Sequence, residues 1–284
     1  MRYSITSVAL PHLSLEETFA FVSRLGYDGV ELRVRRTPPA AVGKPYSFWG
    51  SHRNDLTPDN FVALAPRIRE LAEEAGLAIP ALASNATAMD LDDLRRLAEG
   101  AALVGCPLVR VGAPRRYDGS VPYREVFAET VEAFSTAVDV VSSFGVRALL
   151  EIHGGTITVS AGLALRLVEP FPAEKVGVVY DVQNMVREGY EGVRLGLDVL
   201  GPYLAHVHVG GHAPEAGERS SDGTLVWKWR ATELSDGLLS TPMLLAELQR
   251  AGYAGFVTVE DLRPDVDVEV RFSAAIRYLR GLES

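Results

Sequence analysis

The stretch RALLEIHGGTITVSAGLALRLVEPFPAEKVGVVYD (147–181) decides the fold. It opens with an apolar run, RALLEIH (147–153), passes through a helical pattern at about 160–169, and closes with a second run, VGVVYD (176–181). Two strand-like runs joined by a helix read as a parallel pair, because a parallel crossover needs a dozen or more residues. The unit repeats in both directions. Upstream stand YSITSV (3–8), GVELR (29–33), AIPALAS (78–84) and PLVRVG (107–112); downstream stand LAHVHV (204–209) and GFVTVE (255–260). Helices are predicted from Ser14 to about Gly26 and at about 58–75, 90–104, 122–144, 189–200, 241–251 and 266–281. Ser14 and Glu17 have capping-box spacing, and Gly76 suits the end of its helix. Long irregular loops are expected before residue 56 and after residue 209. Eight strand–helix units predict one closed (β/α)8 barrel, with residues 1–284 as a single domain. An open doubly wound sheet is the alternative, but no G-x-G-x-x-G turn follows the first run.

The composition fits this class. The chain has 284 residues, of which 47% are apolar and 23% charged. A net charge of -9 disfavours a nucleic-acid partner, since an acidic surface repels phosphate backbones. The single cysteine, Cys106, can form no intramolecular disulfide and suits a reducing compartment. The N-terminus lacks a signal-peptide pattern, and no apolar stretch is long enough to span a bilayer. A cytoplasmic location without a membrane partner is the expectation.

Metal-binding residue types cluster at strand ends. Run five carries Glu151 and His153, run six ends at Asp181, run seven holds His206 and His208, and run eight ends at Glu260. In a parallel barrel these ends open on one face, so distant residues converge there. Residues i and i+2 share a strand face, so His206 and His208 both point inward. His208, nearer the open end, is the expected ligand; His206 either orients a ligand or is a satisfied core histidine. Three carboxylates gathered without a cation would cost several kcal/mol in repulsion and desolvation. The set Glu151, Asp181, His208 and Glu260 therefore predicts one divalent ion, Mn²⁺ first, with Mg²⁺, Co²⁺ and Zn²⁺ as alternatives.

The strings GYDGVELR (26–33), LLEIHGGT (149–156), VGVVYDVQN (176–184), LAHVHVGGH (204–212) and GYAGFVTVED (252–261), in this order and spacing, resemble the xylose-isomerase-like TIM barrels. That family includes sugar and sugar-phosphate isomerases and epimerases and endonuclease IV-type repair enzymes. The resemblance covers essentially the whole chain. It implies metal ligation by Glu151, Asp181, His208 and Glu260, with Glu151 and Glu260 as catalytic base and acid. It also implies a carbohydrate substrate and an assembly as homodimer or homotetramer. The expected reaction is isomerisation or epimerisation through an enediolate. Dehydration or elimination on a keto-sugar or keto-inositol is the near alternative. Phosphodiester hydrolysis and a non-catalytic sugar-binding barrel are the distant ones. No full set of the extra ligands of the three-metal repair enzymes is found in the sequence.

The chain departs from the ketose 3-epimerases at three substrate-contact positions, now Asn184, Pro214 and Ile157. His153, His212 and Asn184 are the expected substitutes. Glu31 is read either as a substrate contact or as an ion-pair partner of Arg33 or Arg35. Arg110 is favoured as a structural partner for a carboxylate. The loop GKPYSFWGSHRND (43–55) offers Trp49 and His52 to substrate, or else packs on the barrel rim. Trp227 and Trp229 invite the same two readings. Gly210 and Gly211 either admit a phosphate or serve a tight turn.

Overall fold

The computed structural model describes residues 1–283. Eight parallel strands close into a barrel: β1 (Arg2–Thr6), β2 (Gly29–Val34), β3 (Leu82–Ser84), β4 (Leu108–Arg110), β5 (Arg147–Glu151), β6 (Val176–Asp181), β7 (Leu204–Val209) and, eighth in the ring, β10 (Phe256–Val259). Between them run α1 (Leu15–Arg24), α2 (Phe61–Ala75), α3 (Leu91–Val104), α4 (Tyr123–Ser142), α5 (Ala161–Val168), α6 (Val182–Glu188), α7 (Val193–Leu200) and α8 (Thr241–Arg250), with α9 (Val268–Gly281) closing the chain. The predicted capping box forms: Glu17 N donates to Ser14 Oγ at 3.2 Å, and Ser14 N donates to Glu17 Oε2 at 2.8 Å. Gly76 ends α2 at φ 65°, a left-handed conformation that glycine adopts without a Cβ penalty. Among the described residues, no helix is long and apolar enough to cross a membrane.

Alternation along the strands separates the main core from the site. In β6, Val176, Val178 and Tyr180 join the large core cluster. Val179 belongs instead to a small cluster with Ala81 and Leu149. Asp181 shares the parity of Val179. A one-residue register slip would drive the Asp181 carboxylate into the hydrocarbon core, at a cost of several kcal/mol for an unpaired charge. The same burial pattern that builds the core thus fixes where the carboxylate points.

Two connections differ from the sequence reading. The helix expected over 189–200 is α7, and an unexpected short helix, α6, precedes it. The chain breaks at Gly189, where an added Cβ would overlap Val159 O. The first of the pair starts directly after β6, and Asp181 caps it by accepting from Asn184 N. The loop after residue 209 contains an antiparallel hairpin, β8 (Gly211–Arg219) and β9 (Leu225–Thr232). Its tip holds Asp222-Gly223, with Gly223 at φ 86°. Trp229 packs on the core while Trp227 is exposed. At Gly210 and Gly211 the backbone is closely packed. An added Cβ would overlap Gln183 at Gly210, and Glu233 O at Gly211.

Candidate functional site

Register brings the strand ends together. Asp181 on β6 and Thr258 on β10 both pair with His208 on β7, and Glu260 follows β10 directly. His208 is the centre of the arrangement. Its Nε2 lies 2.8 Å from Glu31 Oε2. An ionised carboxylate only accepts, so Nε2 carries a proton and Nδ1 is the nitrogen left to face an ion. Nδ1 is buried and has no hydrogen-bond partner. It faces Glu151 Oε1 at 3.4 Å, Asp181 Oδ2 at 3.6 Å and Glu260 Oε1 at 3.8 Å. Two ligand atoms each about 2.1 Å from one ion lie roughly 3 to 4 Å apart, so these spacings suit a shared cation. Glu151, Asp181 and His208 lie close enough together to hold one ion, and carboxylate oxygens with an imidazole nitrogen form a hard to borderline donor set that fits a divalent one.

The surrounding contacts hold these groups in place. Asn184 donates to Asp181 through its backbone N at 2.9 Å and its Nδ2 at 2.7 Å. Gln183 Nε2 holds Glu260 O at 3.0 Å. Arg110 pairs with Glu151 Oε2 at 2.6 Å, the structural role favoured for it. Burial raises the Glu151 carboxyl, but the Arg110 guanidinium and the His208 imidazole outweigh it and hold it well below the usual range. Glu260 is pushed up to about 8, by burial first and then by Asp181, Glu151 and Glu31 against the pull of His208. The His208 imidazole is raised well above its ordinary value: burial opposes the proton, but Glu31 and Glu260 prevail. The protein groups alone thus favour one positive charge among these carboxylates.

The other expected residues fall into different places. Glu31 reaches neither Arg33 nor Arg35 as an ion pair, and at 2% exposure it does not meet solvent. Its Oε2 binds His208 and also His206 Nε2, at 3.1 Å. His206 further contacts Thr258 Oγ1 at 2.8 Å, so it is a satisfied core histidine. His52 is buried, with Nε2 on Phe48 O at 3.2 Å, and packs inside the loop rather than facing substrate space. Trp49 is exposed and lies 5.6 Å from the Arg35 guanidinium. His153 lines a cavity of about 370 Å³ with Asn85, Arg110, Arg116, Glu151 and Thr156. Its Nδ1 lies 2.8 Å from Gly154 O. Asn184 is committed to Asp181. His212 is partly buried, its Nδ1 has no partner, and burial lowers its pKa. A larger cavity, about 840 Å³, is lined by Arg2, Ile79, Leu108 and Phe256 and by none of the carboxylates described above. Arg35 and Gln183 were missed. For Arg35 the signal existed: residues 31, 33 and 35 share strand parity.

A closed parallel barrel with a carboxylate–imidazole centre at its C-terminal mouth is the class that this geometry defines. The chain belongs to the xylose isomerase-like TIM barrel family, which matches residues 19–282. Solved structures share the fold at low identity. The 3-keto-D-glucoside 4-epimerase of E. coli has a TM-score of 0.71 and 16% identity, covering 99% of each chain. An L-ribulose 3-epimerase has a TM-score of 0.72 and 18% identity, covering 99% of this chain and 94% of that one. A probable 3-DHS dehydratase of Bacillus anthracis has a TM-score of 0.72 and 16% identity, covering 99% of each. No curated protein matches the sequence.

Proposed function

We propose that this chain is a divalent-cation-dependent isomerase or epimerase of a sugar or sugar derivative. One observation carries the reading: Glu151, Asp181 and Glu260 face a single unpartnered imidazole nitrogen of His208. A cation there, Mn²⁺ by preference, supplies Lewis-acid polarisation of a substrate carbonyl. The residues do the rest. Glu151, kept ionised by Arg110, accepts the proton from the carbon beside the carbonyl. Glu260, the other glutamate carboxyl facing His208 Nδ1, returns one. Return to the opposite face of the same carbon gives an epimer; return to the adjacent carbon gives an isomer. Asn184 and Glu31 keep Asp181 and His208 aimed while the proton moves.

The test is metal analysis of the purified protein, followed by incubation of ketoses, ketose phosphates and keto-inositols in D₂O. The expected result is one divalent ion per chain and deuterium at the carbon next to the carbonyl. Glu151→Gln should abolish deuterium uptake while losing only part of the metal. Undiminished uptake in that variant refutes the assignment. A product that has lost a hydroxyl redirects the reading to dehydration.

A further inference from the structure

Because Glu31 is turned to the two histidines, the arginines beside it in sequence are left without a carboxylate. Arg33 is 1% exposed. Its Nη2 donates to Gly50 O at 2.9 Å, while Nε and Nη1 have no partner. Asp55 acts on it only from beyond ion-pair distance. Arg35, half-buried, donates through Nε to Ala83 O at 2.9 Å and lies beside Trp49. Among the described residues neither guanidinium forms an ion pair. Arg110 and Arg33 are close enough to Arg35 for the charges to repel, while Glu151 and Glu260 act on it only from beyond ion-pair distance. Arg116 lines the same 370 Å³ cavity as Arg110 and also makes no ion pair among the described residues. Four cations, of which only Arg110 has a carboxylate partner among the described residues, therefore crowd the side of the mouth formed by β2 to β4, in a chain whose net charge is -9.

In the ring of eight, β2 lies across from β6 and β4 across from β10. The carboxylates Asp181 and Glu260 stand on the far strands, where the proposed cation would draw on their charge. Glu151 is shared with that ion, so it cannot fully neutralise Arg110. A guanidinium removed from water without a counterion is costly, and such groups are ordinarily paired. We propose that the substrate carries an anionic group, a carboxylate or a phosphate monoester, seated on Arg35 and Arg110 at the end remote from the reacting carbon, with Arg33 behind them adding to the positive field. This inference rests on the sugar-isomerase reading above and narrows its substrate class. Arginine suits the task because its planar donors match carboxylate and phosphate oxygens.

The test is titration calorimetry with three probes, inorganic phosphate, D-glucuronate and neutral D-glucose, on the purified protein as isolated and after EDTA treatment. The anions should bind both preparations and glucose should bind more weakly. Arg35→Gln should weaken anion binding about tenfold or more, as expected for loss of a charge-assisted contact. Arg35→Lys should recover part of it, and metal content should stay unchanged in both variants. Phosphate favoured over glucuronate supports a phosphorylated substrate, and the reverse supports a sugar acid. Binding of neither anion overturns the proposal. Binding that EDTA abolishes and Arg35→Gln leaves intact also overturns it, since the anion would then sit on the metal. The EDTA-treated arm reports on the arginines without turnover, so its failure is distinct from a failure of the deuterium test.

Discussion

Replacing Glu31 with Gln tests how the site is aimed. The carboxylate accepts from His208 Nε2 at 2.8 Å and His206 Nε2 at 3.1 Å, and both contacts are buried. Glutamine keeps the shape and one carbonyl oxygen but loses the charge. Hydrogen bonds to charged acceptors contribute about 1.5–3 kcal/mol, against about 0.5–1.5 for neutral ones. The bond that orients His208 should therefore weaken by about 1 to 1.5 kcal/mol, or roughly five- to fifteenfold in affinity. An amide can also turn its NH₂ toward the imidazole and favour the wrong tautomer. The total should reach about ten- to a hundredfold weaker Mn²⁺ binding, the range known for groups that orient metal-bound histidines. Loss of the charge eases deprotonation of His208, an opposing effect that grows toward acid pH. Calorimetric Mn²⁺ titration at pH 7.5 measures the result, with circular dichroism as a check on folding. Unchanged affinity would refute the orienting role. Complete loss of binding, matching Asp181→Ala, would mean that Glu31 itself ligates the ion with His206 and His208, which also lie close enough together to hold one.

Two stability predictions follow from packing. His52 is held neutral, its pKa lowered to about 3 by burial and then by Arg33, whereas an unfolded chain protonates near 6.5. Its contribution is full above pH 6.5 and is lost as pH falls toward 3, by up to about 4 to 5 kcal/mol. Urea titrations at stepped pH should therefore show a flatter acid limb for His52→Gln, and an identical limb would refute this account. Gly211→Ala places a methyl group against the backbone oxygens of Thr232 and Glu233. It should cost about 1–3 kcal/mol in thermal or urea unfolding, as overpacking does, and a neutral result would mean that the hairpin base yields freely.

Most of the barrel was legible because its signals are local and repeated. Val176, Val178 and Tyr180 alternate with Asp181 in a way that only an inward carboxylate satisfies, and Ser14 with Glu17 announces its own helix. The convergence of Glu151, Asp181, His208 and Glu260 followed from topology once eight runs were counted. What sequence could not supply was the competition among neighbours. Glu31 had two arginines nearby in sequence and two histidines 175 and 177 residues away, and the distant pair wins because both imidazoles point into the barrel, where each Nε2 reaches Glu31 Oε2. His52 looked like a sugar contact because the depth of a loop residue is not encoded in its periodicity. The hairpin was hidden by Pro214, which weakens a strand reading, although Asp222-Gly223 was a usable turn signal.

The excursion that begins at Gly211 and returns at Thr232 closes where it started, since those two residues face each other across its base. Seen from the barrel, the whole ribbon is therefore a single stitch. Its tip can be lengthened, shortened or exchanged between descendants of this chain without moving β7 or α8. Novelty in this protein can accumulate on the ribbon while the ring below it stays under separate constraint.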